Sequence, residues 1–308
     1  MQRASTKQED LSTLIVLVGP TGVGKTALSI RLAQYFGCSI LSADSRQIFR
    51  EIPIGTAAPS DEERVAVPHY FVGTRSVTEP YSAATFESEV LELLPQVFAE
   101  SSSSTALLSG GSMMYVDAVT KGIDSMPDVP EEVRSAVWER YAAEGLDGIL
   151  AELRLLDPVY YKAVDPKNYK RVLHGYEVCL ATGRPFSSFH TGQQKARPFR
   201  IVKVGLTRDR EELYARIDKR VELMIESGMV EEAQRVYPLR RLNALNTVGY
   251  KELFSYFDGE IDFVEAVRLI QRNSRHYARK QLSWWRRDPE IRWFHPDAWE
   301  EIIAYIQQ

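Results

Sequence analysis

Cysteine is scarce: Cys38 and Cys179 are the only two in 308 residues. They are too few for a disulfide framework and too far apart for a CxxC pair, so a reduced, cytoplasmic setting is expected. The five histidines are scattered. None stands at metal-ligand spacing, and His69, His190 and His295 read as structural or surface residues. No stretch approaches the roughly 18 consecutive apolar residues that span a bilayer, which excludes a membrane partner. Residues 1–10, MQRASTKQED, are polar and lack the apolar core of a secretory leader, so a soluble, untargeted chain is expected. Neither charge sign dominates: 38 Lys and Arg face 42 Asp and Glu, a formal net charge of −4. That balance argues against general affinity for nucleic acid. There is no internal repeat. No obvious Walker B run follows the expected strand, because Ala106-Leu107-Leu108 runs into Ser109-Gly110 rather than into aspartate, and this counts against an NTP-driven switch.

What is present begins with Gly19-Pro20-Thr21-Gly22-Val23-Gly24-Lys25-Thr26, a complete Walker A loop. The apolar run Leu14–Val18 leads into it and a helical pattern from Ala27 to Phe36 leads out. That strand–loop–helix context turns backbone N–H groups, a helix N-terminus and the Lys25 ammonium toward an anion. A polyphosphate is the expected ligand, as in nucleotide- and ATP-binding proteins. Further strands are expected at Ser39–Leu41, near His69–Val72, at Ala106–Leu108 and at Ile201–Leu206, alternating with helices such as Ser82–Ala99. The pattern is that of an α/β fold with a P-loop NTPase-like parallel sheet flanked by helices. Between these strands the character changes. Residues 118–197 show only helical stretches, Val129–Glu144 and Lys170–Ala181 among them. We therefore expect a core of 1–117 and 198–308 interrupted by a helical insertion, 118–197, with a helical C-terminal part.

Several residues could carry chemistry. Asp44 follows the second strand, at the edge where open parallel sheets bind ligands. It could accept a proton, hold a metal, or cap the next turn. Thr26 is at the usual magnesium position of such loops. Arg210, Arg216 and Arg220 open the helix after Leu206. They reach back to phosphates or form surface pairs with Glu212 and Glu222. Between Arg268 and Arg287 lie seven Arg or Lys residues and no acid. Arg268, Arg272, Arg275 and Arg279 fall at three- and four-residue steps, so they form one positive stripe on a helix. Interleaved with aromatic residues, the stripe suits a phosphate backbone, and otherwise it is a solvated face.

Taken together, the motifs resemble the tRNA dimethylallyltransferase (tRNA isopentenyltransferase) family. They are GPTGVGKT at 19–26, SADSRQIF at 42–49, IGTAAPS at 54–60, PHY at 68–70, GGSMMY at 110–115, RVLHGYEV at 171–178, LYARIDKRVELMIESGMVEE at 213–232, TVGYKEL at 247–253 and YARKQLSWW at 277–285. The resemblance implies transfer of a dimethylallyl group from dimethylallyl diphosphate to the exocyclic amine of the adenine 3′ of the tRNA anticodon. It implies that the P-loop holds the donor diphosphate rather than ATP, and that Mg2+ sits near Thr26. Asp44 matches the proton acceptor, Thr21 the residue at the bridging oxygen, and Arg210 and Arg216 the arginines that neutralise the leaving group. It further implies tRNA contacts at Asp44, Ser45, Arg46, Gln47, Ser112, Arg134, Lys170, Arg171, Val172, Leu173, His174, Asn246, Thr247, Val248, Gly249, Tyr250 and Lys251. The stripe Arg272, Arg275 and Arg279 adds to these, and the insertion would grip the anticodon stem. A monomer is expected. Two positions depart from the family pattern. Ser112 stands where threonine is usual, keeping a hydroxyl, and His174 stands where a second arginine is usual, losing a permanent charge. No C-terminal zinc-finger pairs of eukaryotic members are present, which points to a bacterial-type enzyme. A small-molecule P-loop kinase is the rival reading.

Overall fold

The computed structural model describes residues 11–124 and 126–308; the polar segment 1–10 lies outside the described residues. Two compact units emerge, residues 1–121 with 196–308, and residues 122–195.

The first unit opens with β1 (Thr13–Val18), α1 (Lys25–Phe36), β2 (Ile40–Ser42), α2 (Asp61–Ala66), β3 (His69–Tyr70), α3 (Ala83–Glu100), β4 (Thr105–Ser109) and α4 (Met113–Lys121). The second unit holds α5 (Glu131–Glu144), α6 (Asp147–Leu156), α7 (Pro158–Ala163) and α8 (Tyr169–Thr182). The chain then returns as β5 (Arg200–Leu206), α9 (Arg210–Glu226), α10 (Met229–Val236), α11 (Tyr250–Phe257), α12 (Phe263–Trp285), β6 (Arg292–Phe294) and α13 (Trp299–Ile306).

The six strands form one parallel sheet in the order β3-β2-β4-β1-β5-β6. A strand covered on both faces reads as a continuous apolar run, and β1 does so. Leu14, Val16 and Val18 enter one core with Phe86, Val90 and Tyr250, while Ile15 and Leu17 enter the other with Leu32, Leu213 and Ile217. Because all strands run the same way, the carboxyl ends of β1, β2 and β4 open on one edge. β4 lies between β1 and β2, so Asp44 does not follow a strand adjacent to the P-loop strand; it reaches the same edge one strand further out.

β6 is a strand that the sequence pattern does not announce. Its three residues pair with Val204–Leu206, a length too short to show alternation. β3 covers only His69–Tyr70 rather than running to Val72, because Phe71 turns left-handed, with φ of 64°, which ends the extended ladder.

The second unit packs around its own core of Val137, Ile149, Leu153, Val172, Leu173, Tyr176 and Phe186. The buried Asp157 accepts hydrogen bonds from the Tyr160 N–H (2.9 Å), the Ser187 N–H (2.6 Å) and the Ser187 hydroxyl (2.8 Å). Burial alone would raise its pKa, but these donors hold it below the usual carboxylate value.

Candidate active site

The P-loop is shaped by what presses on it. Gly22 has φ of 80°, and a Cβ there would lie 2.8 Å from Ile217 Cγ1, so only glycine lets α9 pack directly on the loop. That packing brings Arg216 against the loop, where its Nε donates to the Gly22 carbonyl at 2.9 Å. Arg208 does the same from the start of the turn, donating to the Val23 carbonyl at 2.9 Å. Lys25 Nζ donates to the carbonyls of Gly19 (2.8 Å) and Pro20 (2.9 Å). Burial, and then the nearby Arg220 guanidinium, bring the Lys25 pKa down to about 7, against the opposing pull of Asp44. Arg220 is lowered as well, by burial, with Asp44 again opposing. Two desolvated cations beside one carboxylate make a site that an added anion would stabilise.

Gly22, Lys25, Arg216 and Arg220 line one cavity of about 780 Å³, which also includes Thr21, Thr26, Asp44, Ser112, Asn246 and Lys251. Its wall includes the apolar side chains Val221, Met224, Val248 and Ile270. Asp44 Oδ1 accepts from the N–H groups of Arg46 (2.9 Å) and Gln47 (3.3 Å), so it caps a turn. Its Oδ2 accepts no hydrogen bond among the described residues. Capping therefore occupies one oxygen of Asp44. Arg46 is beside it, its pKa lowered by burial and supported by Asp44.

The side of the cavity that carries Asp44 is held by convergence of strand ends. Gly110 follows β4, and a Cβ on it would lie 2.1 Å from the Ala43 carbonyl oxygen. The glycine therefore lets the ends of β2 and β4 close on each other, with the Ser112 N–H donating to Ala43 O at 3.0 Å. The Ser112 hydroxyl accepts from the Ser45 N–H (2.7 Å) and donates to the Ser45 hydroxyl (3.0 Å), which is what the hydroxyl kept at this position does. Gln47 donates from Nε2 to the carbonyls of Thr56 (3.2 Å) and Ala57 (3.0 Å), tying the turn after Asp44 to the IGTAAPS segment.

Not every expected residue reaches the cavity. Arg210 is absent from the lining. Its guanidinium carbon lies 5.2 Å from the Tyr214 ring centroid, since 210 and 216 point about 120° apart on a helix. Arg220, four residues after Arg216, takes the place on the lining face, and its Nη2 lies 3.4 Å from Thr56 O. The surface-pair alternative does not hold: Glu212 pairs with Arg208 and Glu222 with Lys219. Tyr250 is fully buried, with its hydroxyl on Glu232. Glu232 also takes the Ile54 (2.8 Å) and Gly55 (2.7 Å) N–H groups, so Tyr250 braces the wall rather than touching a ligand. Gly249 is the N-terminal cap of α11, where a Cβ would meet Met229 Cε at 2.3 Å. In the second unit, Val172 and Leu173 are core residues at 0% and 1% exposure. Arg134, Lys170, Arg171 and His174 are exposed, Arg134 pairing with Glu131 at 3.4 Å.

The basic stripe is also revised. On α12 the cavity takes Ile270, Ser274, Tyr277 and Gln281, roughly half a turn from Arg268, Arg272, Arg275 and Arg279. The stripe therefore faces away from the cavity. Nor is it free of acids, because Arg268 pairs with Glu265 and Arg275 with Asp218 of α9. Glu265 lies on α12 itself, three residues before Arg268, whereas position counting within α12 cannot see Asp218 on another helix. Arg272 and Arg279 remain exposed. Among the described residues no group of three or more His, Cys, Asp or Glu could hold a metal, and no helix is long and apolar enough to cross a membrane.

Comparison with known proteins follows the same lines. The family described as IPP transferase matches residues 47–288. The chain is 66% identical over 286 residues to tRNA dimethylallyltransferase 2 of Porphyromonas gingivalis, covering 93% of this chain and 95% of that one. It is 57% identical to tRNA dimethylallyltransferase 1 of Bacteroides fragilis, covering 96% and 97%. Among solved structures, the full-length tRNA isopentenylpyrophosphate transferase of Bacillus halodurans superposes with a TM-score of 0.70 at 32% identity, covering 96% of this chain and 95% of that one. With a family match over most of its length and relatives this similar, the chain belongs to the IPP transferase family.

Proposed function

We propose that this protein transfers a dimethylallyl group from dimethylallyl diphosphate to the exocyclic amine of the adenine 3′-adjacent to the anticodon of tRNA, releasing diphosphate. The observation that carries this reading is the composition of the cavity. It joins an anion cradle (Lys25, Arg216, Arg220), a carboxylate with an oxygen left over from capping (Asp44) and an apolar wall (Val221, Met224, Val248, Ile270). The last of these suits a five-carbon prenyl tail.

In the proposed reaction the amine nitrogen attacks the allylic carbon. The bond from that carbon to the diphosphate oxygen breaks with its electron pair, and the surplus proton on nitrogen passes to Asp44 Oδ2. An aromatic amine is a weak nucleophile, and a carboxylate in hydrogen-bond reach contributes typically 10²–10⁴-fold. The charge growing on the leaving oxygen is met by Lys25, Arg216, Arg220 and the Thr21 hydroxyl. Such donors act most strongly in a desolvated site. Mg2+ fits the oxygen donors present: Thr26, with its hydroxyl, lines the cavity, and magnesium suits one or two protein oxygens plus phosphate oxygens. When bound it would supply further neutralisation of the leaving diphosphate.

The adenine has to leave its stack to enter such a cavity. Ser45, Arg46, Gln47, Ser112, Asn246, Thr247 and Lys251 line the same cavity as Asp44 and would serve that base and its neighbours. Arg134, Lys170, Arg171 and His174, exposed on the helical unit, suit the phosphates of the anticodon stem, and Arg272 and Arg279 add a second, outward contact. The enzyme is proposed to act as a monomer in the cytoplasm. The test is to incubate tRNA with the protein, Mg2+ and dimethylallyl diphosphate, digest the RNA and separate the nucleosides. Prenylated adenosine from the position after the anticodon is the expected product; unmodified adenosine there overturns the reading.

A further inference from the structure

Gln281 is 1% exposed and sits in α12 between two loops that the proposed chemistry uses. Its Oε1 accepts the Thr21 N–H at 2.8 Å. Its Nε2 donates to the Gly111 carbonyl at 2.8 Å, an oxygen that also receives the Tyr277 hydroxyl at 3.3 Å. Each end of the amide faces a group of fixed polarity, so its orientation is set by its neighbours. A Cβ built on Gly111 would lie 2.7 Å from Gln281 Nε2 and 3.6 Å from Asp44 Oδ2, so the junction is immediately beside the carboxylate. The helix is itself anchored, with Ile270 and Trp285 buried in one core and Ala278 in the other.

We infer that Gln281 is a positioning residue that locks the phosphate loop to the acceptor loop, holding Thr21 and Asp44 at a fixed separation across the cavity. The inference rests on the prenyl-transfer reading. A neutral amide suits this bridge, since a carboxylate brings no donor for Gly111 and an ammonium no acceptor for Thr21. The Thr21 N–H is taken up by the protein, so this part of the loop serves registration rather than anion binding. Without the bridge, the leaving oxygen and the proton acceptor lose their common frame, and a misplacement of about 1 Å costs on the order of 10²-fold in rate.

The experiment compares wild type with Gln281→Met, which removes both hydrogen bonds, and Gln281→Glu, which keeps the acceptor alone. Single-turnover prenyl transfer at saturating tRNA and dimethylallyl diphosphate is measured against pH, with dissociation constants for both substrates and thermal melting of each protein. For Gln281→Met the rate is expected to fall roughly 10- to 100-fold while both dissociation constants stay within about threefold. For Gln281→Glu the rate is expected to be low at pH 8 and to recover as pH falls, because the protonated carboxyl regains a donor for Gly111. Wild-type rates per folded molecule in both variants, with lowered melting and no new pH limb, would make the residue mere packing and overturn the inference. So would a loss of donor affinity as large as the loss of rate. No transfer by wild type would end the functional reading and this inference together, whereas wild-type transfer with unaltered variants ends only the inference.

Discussion

The two ends of the cavity are built in opposite ways. The phosphate end rests mainly on one contiguous stretch: Thr21, Gly22, Gly24, Lys25 and Thr26 line it together, joined by Arg216 and Arg220 from α9. The other end is assembled from Asp44–Gln47 after β2, Gly110–Ser112 after β4, Asn246, Thr247, Val248 and Lys251 before and within α11, and Tyr277 and Gln281 of α12. The electrostatics differ as well. At the phosphate end burial works against the cations, drawing Lys25 down to about 7 and lowering Arg220. At the other end burial works against phenolate: Tyr277 is pushed up to about 12, first by desolvation and then by Asp44, so it stays a neutral donor. Under the proposed reaction, one end would take the incoming anion and the other a neutral base that surrenders a proton.

The sharpest way to separate the ends is Asp44→Asn. Asparagine keeps the capping oxygen for Arg46 and Gln47 but loses basicity. Turnover is expected to fall by about 10²–10⁴-fold, with donor and tRNA affinities changing several-fold at most. Steady-state kinetics with equilibrium binding checks this, and near-normal transfer would reduce Asp44 to a cap. At the other end, Lys25→Ala is expected to cost on the order of 10²-fold or more in turnover, since its charge is most needed as diphosphate departs. Its effect on donor affinity distinguishes it from Asp44→Asn.

The lowered Lys25 pKa gives a pH signature confined to the phosphate end. A bound diphosphate raises that pKa, so binding above pH 7 takes up a proton. Affinity for inorganic diphosphate is then expected to fall about tenfold per pH unit above 7, and calorimetry at pH 8 in buffers of different ionisation heat should report nearly one proton gained. Flat affinity from pH 7 to 9 would contradict it. Arg220→Gln is expected to weaken transfer well beyond Arg210→Gln, which should stay near wild type; equal losses would restore Arg210 to the site. The smallest effect is reserved for the outward face of α12. Arg272→Gln with Arg279→Gln should lower the salt slope of tRNA binding by at most roughly 0.9 for each phosphate no longer neutralised, leaving donor affinity alone.

The same contrast explains what could be read from the chain. The phosphate end is legible in GPTGVGKT because its geometry is backbone geometry written in adjacent residues. The long strands and helices are legible because burial on one face imposes a period and burial on both faces an unbroken apolar run. Arg220 is recoverable by helical spacing, being four residues from Arg216 on the same face. Gln281 is not, because its partners Thr21 and Gly111 are 260 and 170 residues away, and nothing local marks a glutamine as a bridge. Tyr250, Val172 and Leu173 mislead for the converse reason: they sit inside motif segments, yet their side chains turn into cores. The apparent freedom of the basic stripe fails similarly, since Asp218 lies on α9.

The central claim is that one cavity takes a prenyl diphosphate, not ATP, and delivers its prenyl group to tRNA. The most direct measurement is to supply isotopically labelled dimethylallyl diphosphate, Mg2+ and tRNA without any nucleotide triphosphate, and in parallel to follow ATP hydrolysis by the same protein. Label should pass to tRNA in a one-to-one ratio with diphosphate released, while ATP is left intact. Brisk ATP hydrolysis with no label on the RNA would contradict the account.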